Sequence, residues 1–159
     1  MPTRLCDCPV ADPGVDEFWG YAAEAHAAHL FEEPGVAGGF LFKGLPYRGI
    51  EGAGRWRAFV DEDRRKNDLF WHVKKSHSPL RVAVGGGDGR SWPVHNRFDF
   101  TSLEEVEWSW EAGGRSGVAE AEGEPRSTGR VTLPEGLEGP VLLRAVRGGR
   151  EVDRWLLGK

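Results

Sequence analysis

From Glu105 to Glu111 the chain alternates without a break. Val106, Trp108 and Trp110 fall on one face, and Glu105, Glu107, Ser109 and Glu111 fall on the other. Side chains leave a β-strand on opposite faces in turn, so this is a strand with one face buried and one face in water. A helix would scatter the same indoles around its circumference. A half-buried strand needs neighbours in a sheet, and the apolar face of that sheet needs a second layer to cover it.

Residues after 79 supply those neighbours. Leu80, Val82 and Val84 alternate, and Gly85-Gly86-Gly87-Asp88-Gly89 makes a flexible turn. That glycine run does not open a helix, so it is not a phosphate loop. Trp92, Val94, Asn96 and Phe98 alternate next. Weaker strands follow at 117–122, 128–133, 140–147 and 151–157, with Gly148-Gly149 as a hairpin turn. About seven short antiparallel strands in this span predict an immunoglobulin-like sandwich. Trp108 and Trp110 are expected in its core, and the Asn96 side chain is expected to bond to main chain.

The first third has another texture. Thr3 to Cys8 reads as a short buried strand, and Asp12-Pro13-Gly14 as a turn and helix start. Val15, Phe18, Trp19, Ala22, His26, His29 and Leu30 recur at three and four, one helical face, and Pro34-Gly35 stops the helix. The run GVAGGFLF at 35–42 reads as a second strand. Strand, helix and strand in this order form a βαβ unit and imply a parallel sheet. One such unit is not a stable sheet, so its apolar faces need the sandwich or a partner. Residues 43–66 read as a long loop. Asn67 or Asp68 then caps a short helix running through Ser76, which Pro79 ends.

The chain of 159 residues is long enough to bury a core. Its 21 Lys and Arg against 25 Asp and Glu, interspersed, lack the basic face of a nucleic-acid binder. No apolar run approaches a membrane span, and the N-terminus shows no secretory pattern, so the expected location is the cytoplasm. Cys6 and Cys8 are half a zinc site at most, and they read as plain thiols.

These pieces together resemble the C-terminal side of a family 2 glycoside hydrolase of the β-galactosidase type. LCD at 5–7, the helix and PGVAGGFLF at 34–42 resemble the seventh and eighth strands of that family's barrel. DEDRRKNDLFWHVKKSHSPLRV at 61–82 resembles the post-barrel segment, in which an Asp-Arg pair leads to a helix and a Pro-started strand. VHNRFDFTSLEEVEWSWE at 94–111 resembles the Asn-Arg-x-x-Phe segment and Trp strand of the adjoining sandwich. The fold expected is therefore mixed: a partial (β/α) barrel fragment (1–60), a linker with a short helix (61–78) and an all-β immunoglobulin-like sandwich (79–159).

The resemblance implies hydrolysis of β-glycosidic bonds with two carboxyl groups. Asp7 stands at the nucleophile position, where the family carries Glu. The shorter side chain withdraws the carboxylate by over an ångström, whereas retaining chemistry needs carboxyls about 5–5.5 Å apart. The acid/base Glu belongs to earlier barrel strands, so the chain is expected to be inactive by itself. Phe42 and Trp56 are candidate sugar platforms, with Trp71 as a third; core or interdomain packing is the competing and more ordinary role for each, Trp71 above all. Lys43 follows Phe42 where galactosidases carry a Trp-Asp pair, and Arg57 lies near a sodium-ligand position, so neither metal nor cofactor is expected. His26 and His29 have a spacing that two ligands can use but lack a neighbouring acid; His72 and His77 do not have it. The expected partners are carbohydrate and a missing N-terminal barrel or partner subunit, with no nucleic acid and no membrane. The alternative is a non-catalytic immunoglobulin-like module that binds glycan or protein, with the Glu105, Glu107 and Glu111 face solvated or bordering a partner.

Overall fold

The computed structural model describes residues 15–36, 38–39, 59–61 and 63–158. The chain divides into two compact units between His77 and Ser78.

In the first unit, helix α1 runs Val15–Glu32 and gives way to a turn at Pro34 and Gly35. Its buried stripe is centred on Ala23 and Ala27, both without solvent exposure. That stripe lies beside the line through Ala22, His26 and His29 read from the sequence. Within this unit α1 packs against α2. The strands expected at 3–8 and 35–42 lie wholly or mostly outside the described residues, and so does most of the 43–66 loop.

At the end of that loop, Val60 and Lys66 form an antiparallel bridge across a tight turn. Asp61 Oδ1 closes it by accepting from the main-chain N–H groups of Asp63 (2.9 Å) and Arg65 (2.8 Å). Helix α2, Asp68–Ser76, begins where the sequence places it. Asn67 is the N-cap, its Oδ1 accepting from Phe70 N at 3.1 Å, which satisfies one orphan donor of the first turn.

The second unit is an all-β sandwich of eight strands: β1 Leu80–Val82, β2 Ser91–Asn96, β3 Glu107–Ala112, β4 Arg115–Val118, β5 Glu120–Glu122, β6 Thr128–Thr132, β7 Val141–Arg147 and β8 Arg150–Leu157. One antiparallel sheet has the order β1-β2-β6-β5 and the other β4-β3-β7-β8. This is the immunoglobulin arrangement with one strand added beside the third. The strand read at 117–122 is two strands in different sheets. Ala119 is the buried crossing point, its N–H on the Trp108 carbonyl at 3.0 Å. Alternation runs on through Gly117, Ala119 and Ala121, so periodicity alone does not reveal the change of sheet.

The core lies between the sheets. Trp92 and Val94 face Val131 and Gly129 across the β2–β6 ladder, while Trp108 and Trp110 face Ala145 and Leu143 across β3–β7. Trp108 also stacks on Trp155 of β8, with centroids 5.8 Å apart. Both β3 indoles satisfy their N–H, Trp108 on the Leu103 carbonyl (3.0 Å) and Trp110 on the Val118 carbonyl (3.1 Å). Glycines let the layers close. A Cβ on Gly129 would run into the Glu122 carbonyl and Gly123, and one on Gly87 would run into the Trp92 indole. The glycine-rich turn is therefore packed as well as bent, and Asp88 pins it by accepting from Arg90 N and Ser91 N.

Candidate functional site

Asp7, Phe42 and Trp56 lie outside the described residues, and so do Cys6, Cys8, Lys43 and Arg57. The surfaces open to chemical reading are those of α2 and of the sandwich.

Of the three aromatic candidates, Trp71 is described. It stands on α2 with 47% of its surface exposed. Phe70 meets it edge-on at 5.2 Å, and Lys66 Nζ sits in the notch between them, 4.8 Å from the Phe70 ring and 5.2 Å from the Trp71 ring. Lys74, one turn further along, brings a second ammonium to 5.8 Å from the same indole. The result is an exposed indole flanked by two cations, each attracted by the negative face of the ring.

The histidines divide by environment. His72 is exposed on α2. His77 is half-buried, its Nδ1 within hydrogen-bond distance of Ser76 Oγ (3.0 Å) and the Val73 carbonyl (3.1 Å). Burial holds the pKa of His26 below the ordinary histidine value, and the nearby His77 and His29 push it the same way. Among the described residues, no three His, Cys, Asp or Glu side chains converge as a metal site. No described helix is long and apolar enough to cross a membrane.

In the sandwich, the Asn96-Arg97 pair organises one end. Asn96 is fully buried at the last position of β2. Its Nδ2 donates to the carbonyls of Thr101 (2.8 Å) and Glu124 (3.1 Å), and its Oδ1 accepts from Phe98 N (3.1 Å). One side chain thus ties the 97–106 loop to the 123–127 loop. Arg97, also buried, joins Arg81 of β1 and Asp153 of β8 in a charged group on the side where β1 approaches β8. Desolvation and the charge of Arg97 pull the Arg81 pKa down, and Asp153 opposes them.

The loop fixed by Asn96 carries Phe100, which the sequence did not single out. Phe100 is 92% exposed. The alternation of β2 runs on to Phe98, so the pattern alone extends the strand. Strand β2 instead ends at Asn96, with Phe98 still packed against the core and Phe100 exposed. Asp99 meets Arg126 at 3.5 Å, and the Arg147 guanidinium lies over the Phe98 ring at 5.2 Å. The acidic face of β3 is exposed, with Glu111 3.6 Å from Arg144 and Glu105 closing a capping box with Ser102.

No family model and no curated protein matches the chain. Among solved structures, an exo-chitosanase of Amycolatopsis orientalis is similar over 89% of this chain, with 18% identity and a TM-score of 0.40. A β-D-mannosidase of Dictyoglomus thermophilum is similar over 89%, with 12% identity and a TM-score of 0.38. The chain spans 18% of the length of each of these proteins.

Proposed function

We propose that this chain is the C-terminal portion of a β-galactosidase-like glycoside hydrolase, which cleaves β-glycosidic bonds, and that it has no activity by itself. One observation carries the reading: the continuous order of features from residue 61 to 111. An Asp-Arg turn leads into the capped helix α2, then Pro79 and β1, then Asn96-Arg97, then the tryptophan strand β3, all feeding an immunoglobulin-like sandwich. That is the order by which the sequence resembles the post-barrel segment and adjoining sandwich of the family.

In this reading Asp7 occupies the nucleophile position, with Phe42 and Trp56 near the sugar. A double displacement needs a second carboxyl about 5–5.5 Å from the first to protonate the leaving oxygen. Its place in the family is on earlier barrel strands, supplied by a longer chain or a partner subunit. The sandwich has its own core. The substrate of the whole enzyme would be a carbohydrate.

The test has two arms. The purified 159-residue chain is assayed with a nitrophenyl β-galactoside, where turnover above buffer would overturn the claim of inactivity. The DNA upstream of Met1 is read for further βα units and a Glu-bearing motif. A clean intergenic region there would favour a free-standing, non-catalytic binding module.

A further inference from the structure

We propose that two copies of this chain associate, the exposed face of α2 in one copy docking in an acidic cleft of the other copy's sandwich. Trp71 then lies on the apolar wall of the cleft, and Lys66 and Lys74 meet its glutamates. The inference does not rest on the hydrolase reading and goes beyond it in assigning both surfaces a partner.

The cleft opens where the chain crosses from β4 to β5. Its volume is about 530 Å³, within the roughly 300–1,000 Å³ of clefts that take small organic groups. Buried Trp108 and Ala119 contribute to its apolar wall. Four exposed carboxylates line it as well: Glu104, Glu105, Glu107 and Glu120. No Lys, Arg or His is among the lining residues. Glu105 is held by its capping box and Glu104 by Gly123 N. Glu107 and Glu120 form no ion pair among the described residues. The arginines on neighbouring strands are engaged elsewhere, Arg130 with Glu122 and Arg144 with Glu111. Unanswered like charges around an apolar wall suit an occupant that brings an apolar body and cations together.

Helix α2 of the same chain exposes such a group. Trp71 is 47% exposed, with Lys66 Nζ 5.2 Å and Lys74 Nζ 5.8 Å from its ring. Both lysines are exposed, and neither forms an ion pair among the described residues. Asp63, in the turn before α2, is taken by Arg65. A free basic peptide would answer the cleft and leave α2 open, and an acidic peptide would do the reverse. A second copy answers both. Tryptophan is also among the residues that most often carry the binding energy of an interface. The contact is heterologous, since different patches of the two copies meet. It is smaller than the roughly 800 Å² per partner of stable complexes, so the association is weak and sensitive to salt.

The experiment is sedimentation velocity of the 159-residue chain up to high micromolar concentration, at low and high salt. The parent should associate reversibly, less at high salt. Trp71→Ala should weaken association about tenfold. Glu107→Lys with Glu120→Lys makes a chain that offers α2 but no cleft, and Lys66→Glu with Lys74→Glu makes one that offers the cleft but no α2. Each should be monomeric alone, and their mixture should form a one-to-one pair. Glu33→Lys with Glu138→Lys, the same charge change at exposed positions elsewhere, should associate like the parent. Far-ultraviolet spectra should match across all chains. A parent that stays monomeric, association that survives either double reversal, or a mixture that fails to pair would each overturn the inference. None of these outcomes touches the hydrolase reading, which stands or falls on the upstream coding sequence.

Discussion

Asn96 and Thr101 are joined by a 2.8 Å hydrogen bond from the side-chain amide of one to the main-chain carbonyl of the other, across a loop that never becomes a strand. Asn96 has no solvent exposure, so water cannot replace that bond. Asn96→Ala strands the carbonyls of Thr101 and Glu124 and the N–H of Phe98. The expected loss is about 3 kcal/mol of stability, read from urea midpoints followed by tryptophan fluorescence. Asn96→Asp should be at least as damaging, because a carboxylate faces two carbonyls to which it cannot donate. A loss below the scatter of surface substitutions would remove Asn96 from its place as organiser of this end.

Two glycines separate packing from turn flexibility. A methyl group on Gly129 has to displace the Glu122 carbonyl, which is main chain, whereas one on Gly85 meets nothing within 4 Å. Gly129→Ala should cost about 3 kcal/mol or prevent soluble expression, while Gly85→Ala should stay within about 0.5 kcal/mol of the parent. Thermal unfolding of both variants side by side gives the comparison.

The start of α2 rests on a single side chain. Asn67→Ala removes the acceptor for Phe70 N and should destabilise the helix by about 1 kcal/mol, while Asn67→Asp should preserve it. Amide exchange at Phe70, measured by NMR, reports this locally: faster in the alanine variant and unchanged in the aspartate variant.

His26 gives the first unit a pH dependence with a definite sign. Its folded pKa lies below the ordinary value, through burial first and then the charges of His77 and His29. The unfolded chain therefore binds a proton that the folded chain refuses. Stability should be unaffected well above about pH 6.5 and should fall as the pH drops through that value towards the lower folded pKa. The lowered carboxyls of Asp88 and Glu104 act separately, in the more acidic carboxylate range. Helix unfolding by urea at pH 7.5 and 5.5 should show the decline, and His26→Gln should flatten it. Equal slopes in parent and variant would exclude His26 as the source.

How much was legible in the sequence follows the range of the forces involved. Alternation, capping and turn chemistry act within a few residues. Hence β2, β3, β7 and β8 and a short α2 ending at Ser76 could be read from the sequence, with Asn67 and Asp68 both open as its cap; the structure chooses Asn67. The break between β4 and β5 was not legible, because Ala119 keeps the period while the chain changes sheets. The catalytic and two of the sugar-stacking candidates, Asp7, Phe42 and Trp56, rest on resemblance and lie outside the described residues.

The sequence by itself determined that this chain builds a two-layer β structure around tryptophans, because a period-two apolar pattern has only one way to bury its face. Only the tertiary structure decided which strands share a sheet, that Asn96 ends β2 and ties two loops together, and that Phe100, just beyond that strand, is exposed. Those outcomes depend on partners 5 to 28 residues distant in the chain, such as Thr101 and Glu124 for the Asn96 amide. No local pattern encodes whether such a partner arrives.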